Sequence, residues 1–298
     1  MKFSFIPTFL ILTSAAFAAF DTASIETITG LKGTLNEAEG VFKVTAPRKD
    51  VKITVDAWHM PPFMGLTSWA AFKEGGKADA MVMGDLVLLQ DEINPVMSAA
   101  LDAGLAVTAL HNHFLYDDPR VFFMHIGGEG TVVKLATGVK AALETVQRIR
   151  AEHPEPAHGF GAVALPETSS ITPEPLEAIF GGKAARNAGM VKFVFGRTAT
   201  MKCGCEAGKE MGVNTWAAFA GADENAVVDG DFCVRESELQ VVLKRLRSEG
   251  INIVAIHQHM TGEEPRYLFL HYWGRGKASG LATSLKGALS LLVEEKTP

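Results

Sequence analysis

Alternation of apolar and polar residues predicts several strands in which one face is buried. Residues 41–44 and 51–55 alternate with a period of two, which is the side-chain repeat of a β-strand. Residues 67–72 and 80–88 are apolar or rich in β-formers, so strands are predicted there as well. We expect the whole segment 25–55 to consist of short strands separated by turns.

A second periodicity, close to 3.6 residues, predicts helices between further strands. Residues 91–103 repeat their apolar side chains at helical spacing, as do residues 131–150 and 236–248. Apolar segments over 105–113 and 121–126 are too short for helices of this kind and are predicted as strands. The order of elements is therefore mixed, with helices inserted between strands.

The chain contains an internal duplication with a spacing of 146 residues. Residues 109–125 contain His-x-His, an acidic pair, Pro-Arg and a final His, and residues 255–271 repeat this order. Residues 151–175 are rich in proline and predict a linker. We therefore predict an α+β fold with a first repeat over 19–150 and a second over 176–298. Each half is expected to hold a mainly antiparallel sheet and two helices.

The first residues have the pattern of a secretory signal peptide. Lys2 precedes an apolar run, and Ala16-Phe17-Ala18 matches a small-x-small cleavage site. We expect residues 1–18 to be removed and the mature protein to be periplasmic or secreted. No stable membrane insertion is expected after cleavage, because the run is short for a membrane span. An uncleaved anchor is the alternative.

Composition and charge narrow the class of protein. The chain is 47% hydrophobic and 21% charged, which is typical of a soluble globular protein. Its formal net charge is −6, and lysine and arginine do not gather into a stripe. Nucleic acid is therefore not expected as a partner.

Six of the nine histidines belong to the repeated unit and carry the main chemical signal. The first two histidines of each unit are alternate residues of one strand, so they share a face. If the hairpin loop has an odd length, the third histidine lies on the next strand, on the same face and diagonal to the first. Burial disfavours protonated imidazoles, whereas a metal dication binds neutral ones. Structural core histidines are the alternative. We predict zinc bound by His111, His113 and His125 in the first half and by His257, His259 and His271 in the second.

Charged residues near the histidines are candidates for catalysis. Glu92 and Glu238 begin the helices that precede the histidine strands, and are predicted as a fourth ligand or general base, or as charges complementing the helix dipole. Arg120 and Arg266 follow a proline beside each hairpin. They are predicted either to orient a substrate carboxylate or to bond the acidic turn.

Two aspartates and two tryptophans also recur in the duplication, one of each in either half. Asp85 and Asp231 end strands, and are either turn residues or hydrogen-bond support for a ligating histidine. Trp69 and Trp216 are predicted as core residues.

Sulfur-containing residues make copper the alternative cofactor. Thioether and thiolate suit copper(I) better than zinc, although methionine is also a common core residue. A disulfide between Cys233 and one of the other two cysteines is a further possibility. The residues are Met60 and Met64 in the first half, and Met201, Cys203, Cys205 and Met211 in the second.

These motifs resemble the LppY/LpqO homologue family, a bacterial domain of unknown function often found in exported proteins. The resemblance spans nearly the whole mature chain and is carried by residues 108–113, 119–120, 123–125 and 269–274. The first half departs from this pattern after His125, where Ile126-Gly127-Gly128 replaces the aromatic pair Tyr272-Trp273 of the second half. A weaker likeness, in duplication and ligand pattern, is to acetolactate decarboxylase, and it implies zinc chemistry on a small carboxylated substrate.

Taken together, the sequence predicts an exported metal-binding protein with a duplicated site. The first hypothesis is a zinc-dependent hydrolase or lyase acting on a small carboxylate-containing molecule. The alternatives are a copper- or zinc-binding or trafficking protein without turnover, and a cell-envelope interaction module with structural histidines.

Overall fold

The computed structural model describes residues 20–161 and 163–293. The predicted signal peptide lies outside these residues. The helices are α1 (Thr22–Thr29), α2 (Ile93–Asp102), α3 (Val132–Glu152), α4 (Pro173–Phe180), α5 (Glu236–Ser248) and α6 (Ala278–Leu289).

The strands alternate with these helices along the chain. They are β1 (Gly33–Asn36), β2 (Val41–Pro47), β3 (Thr54–Val55), β4 (Trp58–His59), β5 (Thr67–Glu74), β6 (Ala80–Leu89), β7 (Ala106–His111), β8 (Asp117–Asp118), β9 (Val121–Gly130), β10 (Ala185–Asn187), β11 (Met190–Gly196), β12 (Ala199–Thr200), β13 (Glu206–Ala207), β14 (Asn214–Ala222), β15 (Asn225–Arg235), β16 (Asn252–His257) and β17 (Tyr267–Gly276). Short 3-10 helices cover Pro62–Met64 and Lys209–Met211.

One antiparallel sheet of 12 strands runs through both halves in the order β1-β2-β5-β6-β9-β7-β16-β17-β15-β14-β11-β10. The strand order on one side of the central pair, β7 and β16, mirrors the order on the other side. Leu110 pairs with Ile256 at this junction. The predicted α+β fold with an internal duplication is confirmed, and the two halves share a single sheet.

The two faces of this sheet are different. Along β9, Phe122 and Met124 pack into the large core beneath the helices, whereas Val121 and Phe123 belong to a smaller cluster on the opposite face. His125 follows the same alternation and lies on the face away from the helices. We call this surface the histidine face. Short pairings of β3 with β4 and β8, and of β12 with β13, accompany the large sheet.

Two side-chain amides join the halves where the central strands bulge. The Asn94 side chain donates to Ile253 O at 3.1 Å and accepts from Ile253 N at 2.8 Å. The Gln240 side chain does the same at Val107, at 2.8 and 2.9 Å. The strand register shifts just after Ile253 in β16 and just after Val107 in β7. At each shift, a side-chain amide forms hydrogen bonds with backbone groups of the opposite half.

Local signals account for two helices that the sequence pattern does not predict. Residues 22–29 form α1 rather than a strand, because the Asp21 side chain caps the Ser24 amide at 3.0 Å and Gly30 ends the helix at φ 69°. Helix α4 begins at Pro173, inside the predicted linker, and proline at the first helical position favours that start.

The amide pairing across the junction yields a stability prediction. Gln240→Leu should lower the free energy of unfolding by about 2–3 kcal/mol, because it leaves the backbone donor and acceptor of buried Val107 unpaired. Urea unfolding measures this loss. Gln147→Leu, at an exposed position of α3, is the matched control and should change stability by less than about 0.5 kcal/mol. Equal losses in the two variants would contradict the role of Gln240.

Candidate metal centre

The antiparallel register places the second histidine triad on one face. Ala255 pairs with His271 and His257 pairs with Phe269, so His257 and His271 are diagonal neighbours. His259 follows two residues beyond His257, past the end of β16. The first half has the same register, with Ala109 opposite His125 and His111 opposite Phe123. Both arrangements agree with the diagonal geometry expected from the hairpin.

Asp231 lies at the centre of the second triad. Its strand position is directly opposite His271, and its side chain is only 2% exposed. The Oδ2 atom is 3.1 Å from His259 Nε2, 3.9 Å from His271 Nε2 and 4.0 Å from His257 Nε2. The sequence predicted only a turn or supporting role for this aspartate. We call Asp231 with these three histidines the second site.

Backbone carbonyls orient two of the imidazoles. His259 Nδ1 is 3.1 Å from Gly212 O, and His271 Nδ1 is 3.3 Å from Gly230 O. A neutral imidazole that donates its Nδ1 proton to a carbonyl keeps an unprotonated Nε2 lone pair. Those lone pairs face the Asp231 carboxylate, which is the arrangement that a metal ion requires of histidine ligands.

Ring stacking holds the imidazoles in place. His259 lies parallel to Phe269, with ring centroids 3.5 Å apart and an angle of 11°. His257 and His271 stack on each other at 4.8 Å and 3°. The second site is therefore built on a rigid strand surface with its rings already positioned.

The electrostatics of the second site favour a cation. Burial, followed by the proximity of His271 and His259, lowers the pKa of His257 to about 4, so this imidazole is neutral at pH 7. Burial raises the pKa of Asp231, although the histidines partly oppose this effect. Asp231 Oδ1 is buried and has no hydrogen-bond partner among the residues that the structure describes. A bound cation would compensate this orphaned carboxylate oxygen.

The first site, Asp85 with His111, His113 and His125, has nearly the same ring spacing as the second, but its ligand atoms form a less compact set. The ring centroid of His111 is 5.0 Å from that of His113 and 5.2 Å from that of His125. Burial lowers the pKa of His113. In the second half, Asp231, His257 and His259 each offer one potential ligand atom, and these three atoms all lie within 4.8 Å of one another. Within residues 20–161 of the first half, no three potential metal ligands are as close together.

A bulky side chain separates the first site from its loop. A Cβ added at Gly212 would meet His259 Nδ1 at 3.6 Å, whereas one added at the matching Gly65 would meet the Phe114 ring at 3.7 Å. Phe114 also stands edge-on to His113, at 6.0 Å between ring centroids. Phenylalanine therefore occupies the place where the second half makes its carbonyl–imidazole hydrogen bond.

The predicted glutamates are held by arginines, away from both triads. Glu92 is fully buried and pairs with Arg48 at 2.7 Å and with Arg150 at 2.9 Å. Glu238 pairs with Arg197 at 2.6 Å and also accepts from the amide of Arg235 at 2.7 Å. Both carboxylates stabilise strand-to-helix turns, and a role as general base or ligand stays a prediction.

The predicted anion-binding arginines lie at the exposed ends of the hairpin loops. Arg120 and Arg266 each precede a strand by one residue and are exposed. Neither forms an ion pair with the acidic turn among the described residues. Their role towards a substrate stays a prediction.

The tryptophans, predicted to be core residues, are instead half-buried on the histidine face. The Trp216 ring meets the His271 ring edge-on at 6.5 Å. Lys192 Nζ lies 4.1 Å from the Trp216 ring centroid, and Lys43 Nζ lies 4.4 Å from that of Trp69. Polar neighbours on the outer strands keep these rings partly in solvent.

The three cysteines do not form the proposed disulfide in the described structure. Cys233 is fully buried on β15, whereas Cys203 and Cys205 are exposed in a turn. The Cys205 amide donates to Cys203 Sγ at 3.3 Å, and hydrogen bonding with Cys205 lowers the pKa of Cys203. Of the candidate methionines, Met60 is buried and Met64 and Met211 are exposed.

Both sites open on the same surface. Leu110 and Ile256, which pair at the junction, both point into the core beneath the helices. The next residues along their strands, His111 and His257, therefore both point to the opposite face. The junction relates the two sites across one continuous surface.

Fold and site define a duplicated α+β protein with a candidate metal centre in its second half. The chain belongs to the family described as Domain of Unknown Function (DUF1259), which matches residues 23–145 and again residues 174–291. This family assigns no activity. The two matches coincide with the two halves of the sheet and support the duplication.

Further comparisons add little about function. No curated protein matches the sequence. A solved structure, a trimeric bacterial microcompartment shell protein PduB, aligns over 86% of this chain and 88% of its own with 11% identity and a TM-score of 0.24, a level that carries no argument. None of the helices in the described ranges has the length and apolar character needed to span a membrane.

The buried carboxylate of the second site yields a prediction for the metal-free protein at pH 8. Burial raises the pKa of Asp231, so ionisation of this carboxyl above its folded pKa opposes folding. Asp231→Asn should therefore stabilise the metal-free fold by on the order of 1 kcal/mol, or about 2–4 °C in Tm. Calorimetry after dialysis against a chelator measures the change.

The control for this prediction is Asp229→Asn, because Asp229 lies on the same strand and face but is exposed. It should leave Tm nearly unchanged. A fall in Tm for Asp231→Asn would mean that the carboxylate stabilises the fold by itself and is not held there for a cation.

Proposed function

We propose that the protein binds a zinc ion at the second site through His257, His259, His271 and Asp231. The observation that carries the proposal is one buried carboxylate oxygen within 3.1–4.0 Å of three imidazole nitrogens. Donor atoms placed tetrahedrally around zinc at about 2.0–2.1 Å lie roughly 3.3 Å apart, so this donor set fits the ion with small movements.

The first site is proposed as a weaker metal site. His111, His113 and His125 supply the same three imidazoles, but Asp85 does not approach them as Asp231 approaches its triad. His113 has Phe114 beside it where His259 has a carbonyl. We therefore expect the first site to bind metal with lower affinity.

The proposed activity is that of a zinc-dependent hydrolase or lyase acting on a small carboxylate-containing molecule. Zinc, when bound, polarises a carbonyl or activates a water molecule. Gly212 and Gly230 hold the imidazoles in the ligating tautomer, and Phe269 fixes one ring by stacking. Glu238 secures the turn after β15, and no proton transfer is assigned to it.

Export and finer family membership are part of the same proposal. The N-terminal pattern over residues 1–18 supports removal of a signal peptide and a periplasmic or secreted location. The resemblance to the LppY/LpqO family favours an exported protein, and the ligand pattern shared with acetolactate decarboxylase favours lyase chemistry.

The test is elemental analysis of protein purified without a polyhistidine tag. We expect about one tightly held zinc per chain, with a second ion lost more easily on dialysis. His259→Ala should remove the tight ion, and His113→Ala only the weak one. His153→Ala, at an exposed position between the halves, is the matched control and should keep both.

Thermal stability gives an independent measurement of the same binding. An ion present at about 100 times its Kd stabilises the fold by about 2.7 kcal/mol, so chelation should lower Tm by several degrees in the parent chain and not in His259→Ala. If the protein holds no stoichiometric metal and chelator leaves Tm unchanged, the metal-binding proposal is wrong and the histidines are structural residues. Turnover that survives metal removal would refute the enzymatic part alone.

Copper binding without turnover is the second candidate. The observation that favours it is the exposed pair Cys203 and Cys205, two residues apart in a turn, since thiolates suit copper(I). This candidate expects copper stoichiometry that falls in Cys203→Ser. Zinc content that is the same in Cys203→Ser and the parent chain favours the histidine site.

A further inference from the structure

A lysine stands over a tryptophan at the outer edge of the second site. Lys192 and Trp216 lie on neighbouring strands, β11 and β14, and the Lys192 ammonium is 4.1 Å from the ring centroid. Attraction between a cation and the face of an indole ring holds the ammonium in this position.

The same tryptophan contacts the metal centre. Trp216 is directly opposite Asp231 in the register of β14 with β15, and its ring meets the His271 ring edge-on at 6.5 Å. One indole ring therefore separates the ammonium from a proposed ligand. The distance from Lys192 Nζ to the His271 ring centroid is at most the sum of 4.1 and 6.5 Å.

The Lys192 charge is available to a ligand. The side chain is exposed and forms no ion pair with any carboxylate in the described ranges. Several other exposed lysines are paired, for example Lys183 with Glu177 at 2.7 Å. A cation held in place beside a metal centre without a counter-ion is suited to an anionic group of the bound molecule.

The arrangement occurs in both halves. Lys43 lies 4.4 Å over Trp69, and Trp69 is opposite Asp85. The segments that connect each lysine to its tryptophan differ in length, so the pair is kept in space although the sequence spacing has changed. Among the residues that the structure describes, no comparable contact joins the predicted anion-binding residue Arg266 to the site.

We infer that Lys192 and Trp216 form an anion-binding subsite, and that the second site takes a small dicarboxylate. One carboxylate binds at the metal and the other at the Lys192 ammonium, above the Trp216 ring. This inference rests on the proposed metal centre. It assigns the substrate-orienting role to a lysine on the outer strand rather than to the arginines of the hairpin loops.

The test uses protein loaded with cobalt(II), whose visible absorption reports on the ligands of the ion, in titrations with succinate and with acetate. Lys192→Met should weaken succinate binding about tenfold, because it removes one charge-assisted contact. Acetate is too short to reach both groups, so its affinity should not change. Cobalt content measured after each titration shows whether the ion has been stripped.

Lys244→Met, on the exposed side of α5, is the matched control with the same loss of charge, and should bind succinate as the parent chain does. Trp216→Leu should weaken succinate binding while cobalt is retained. Equal succinate affinity in Lys192→Met and Lys244→Met, or no succinate response in the cobalt-loaded parent chain, would overturn the subsite and leave the metal centre standing. Failure to take up cobalt at all would overturn the proposed function instead.

Discussion

The register of three antiparallel strands determines whether the second site exists. Asp231 on β15, His271 on β17 and Ala255 on β16 occupy one row across the sheet, with His257 one diagonal step away. Side chains alternate between faces, so a slip of one residue would send a ligand into the core beneath the helices. The apolar residues that alternate with the ligands resist such a slip, because Leu270 is fully buried on the helix face.

The same logic explains why the two halves form one sheet. Beside the bulges in β7 and β16, the backbone N–H and C=O groups of Val107 and Ile253 form hydrogen bonds with side chains of the opposite half. Gln240 and Asn94 each supply a side-chain amide to the opposite half. A buried backbone group left without a partner costs about 1–3 kcal/mol, so these four hydrogen bonds favour the joined arrangement of the two halves. The duplication is therefore an arrangement of two halves that complete each other.

Local periodicity was enough to predict much of this fold, whereas long-range pairing was not. The helix over 236–248 and the diagonal arrangement of the histidines follow from patterns within one hairpin or one helix. The position of Asp231 depends on the pairing of β15 with β17, strands separated along the chain by α5 and β16. Its recurrence 146 residues after Asp85 was a signal in the sequence, but it did not distinguish a ligand from a turn residue.

The surroundings of the two glutamates also depend on contacts between residues that are distant in the sequence. Glu92 and Glu238 do begin helices, as the pattern indicates, but their arginine partners lie about 40 residues earlier in the chain, at Arg48 and Arg197. A buried carboxylate engaged by arginine and by backbone amides loses an ion pair if it moves, which costs about 3–5 kcal/mol. That cost favours a structural role for both residues, and it leaves the chemistry of the site to groups on the histidine face.

Duplication gave both halves the same three histidines, but the group beside one of these histidines differs between the two sites. In the second half the carbonyl of Gly212 receives the Nδ1 proton of His259 and turns Nε2 towards Asp231. In the first half the Phe114 ring lies beside the matching glycine, Gly65. An aromatic ring cannot accept the imidazole proton as a carbonyl does, so Phe114 cannot restrain the tautomer of His113 as the Gly212 carbonyl restrains that of His259. Identical ligands on identical strands can therefore differ in affinity, because the orientation of an imidazole depends on what holds its other nitrogen.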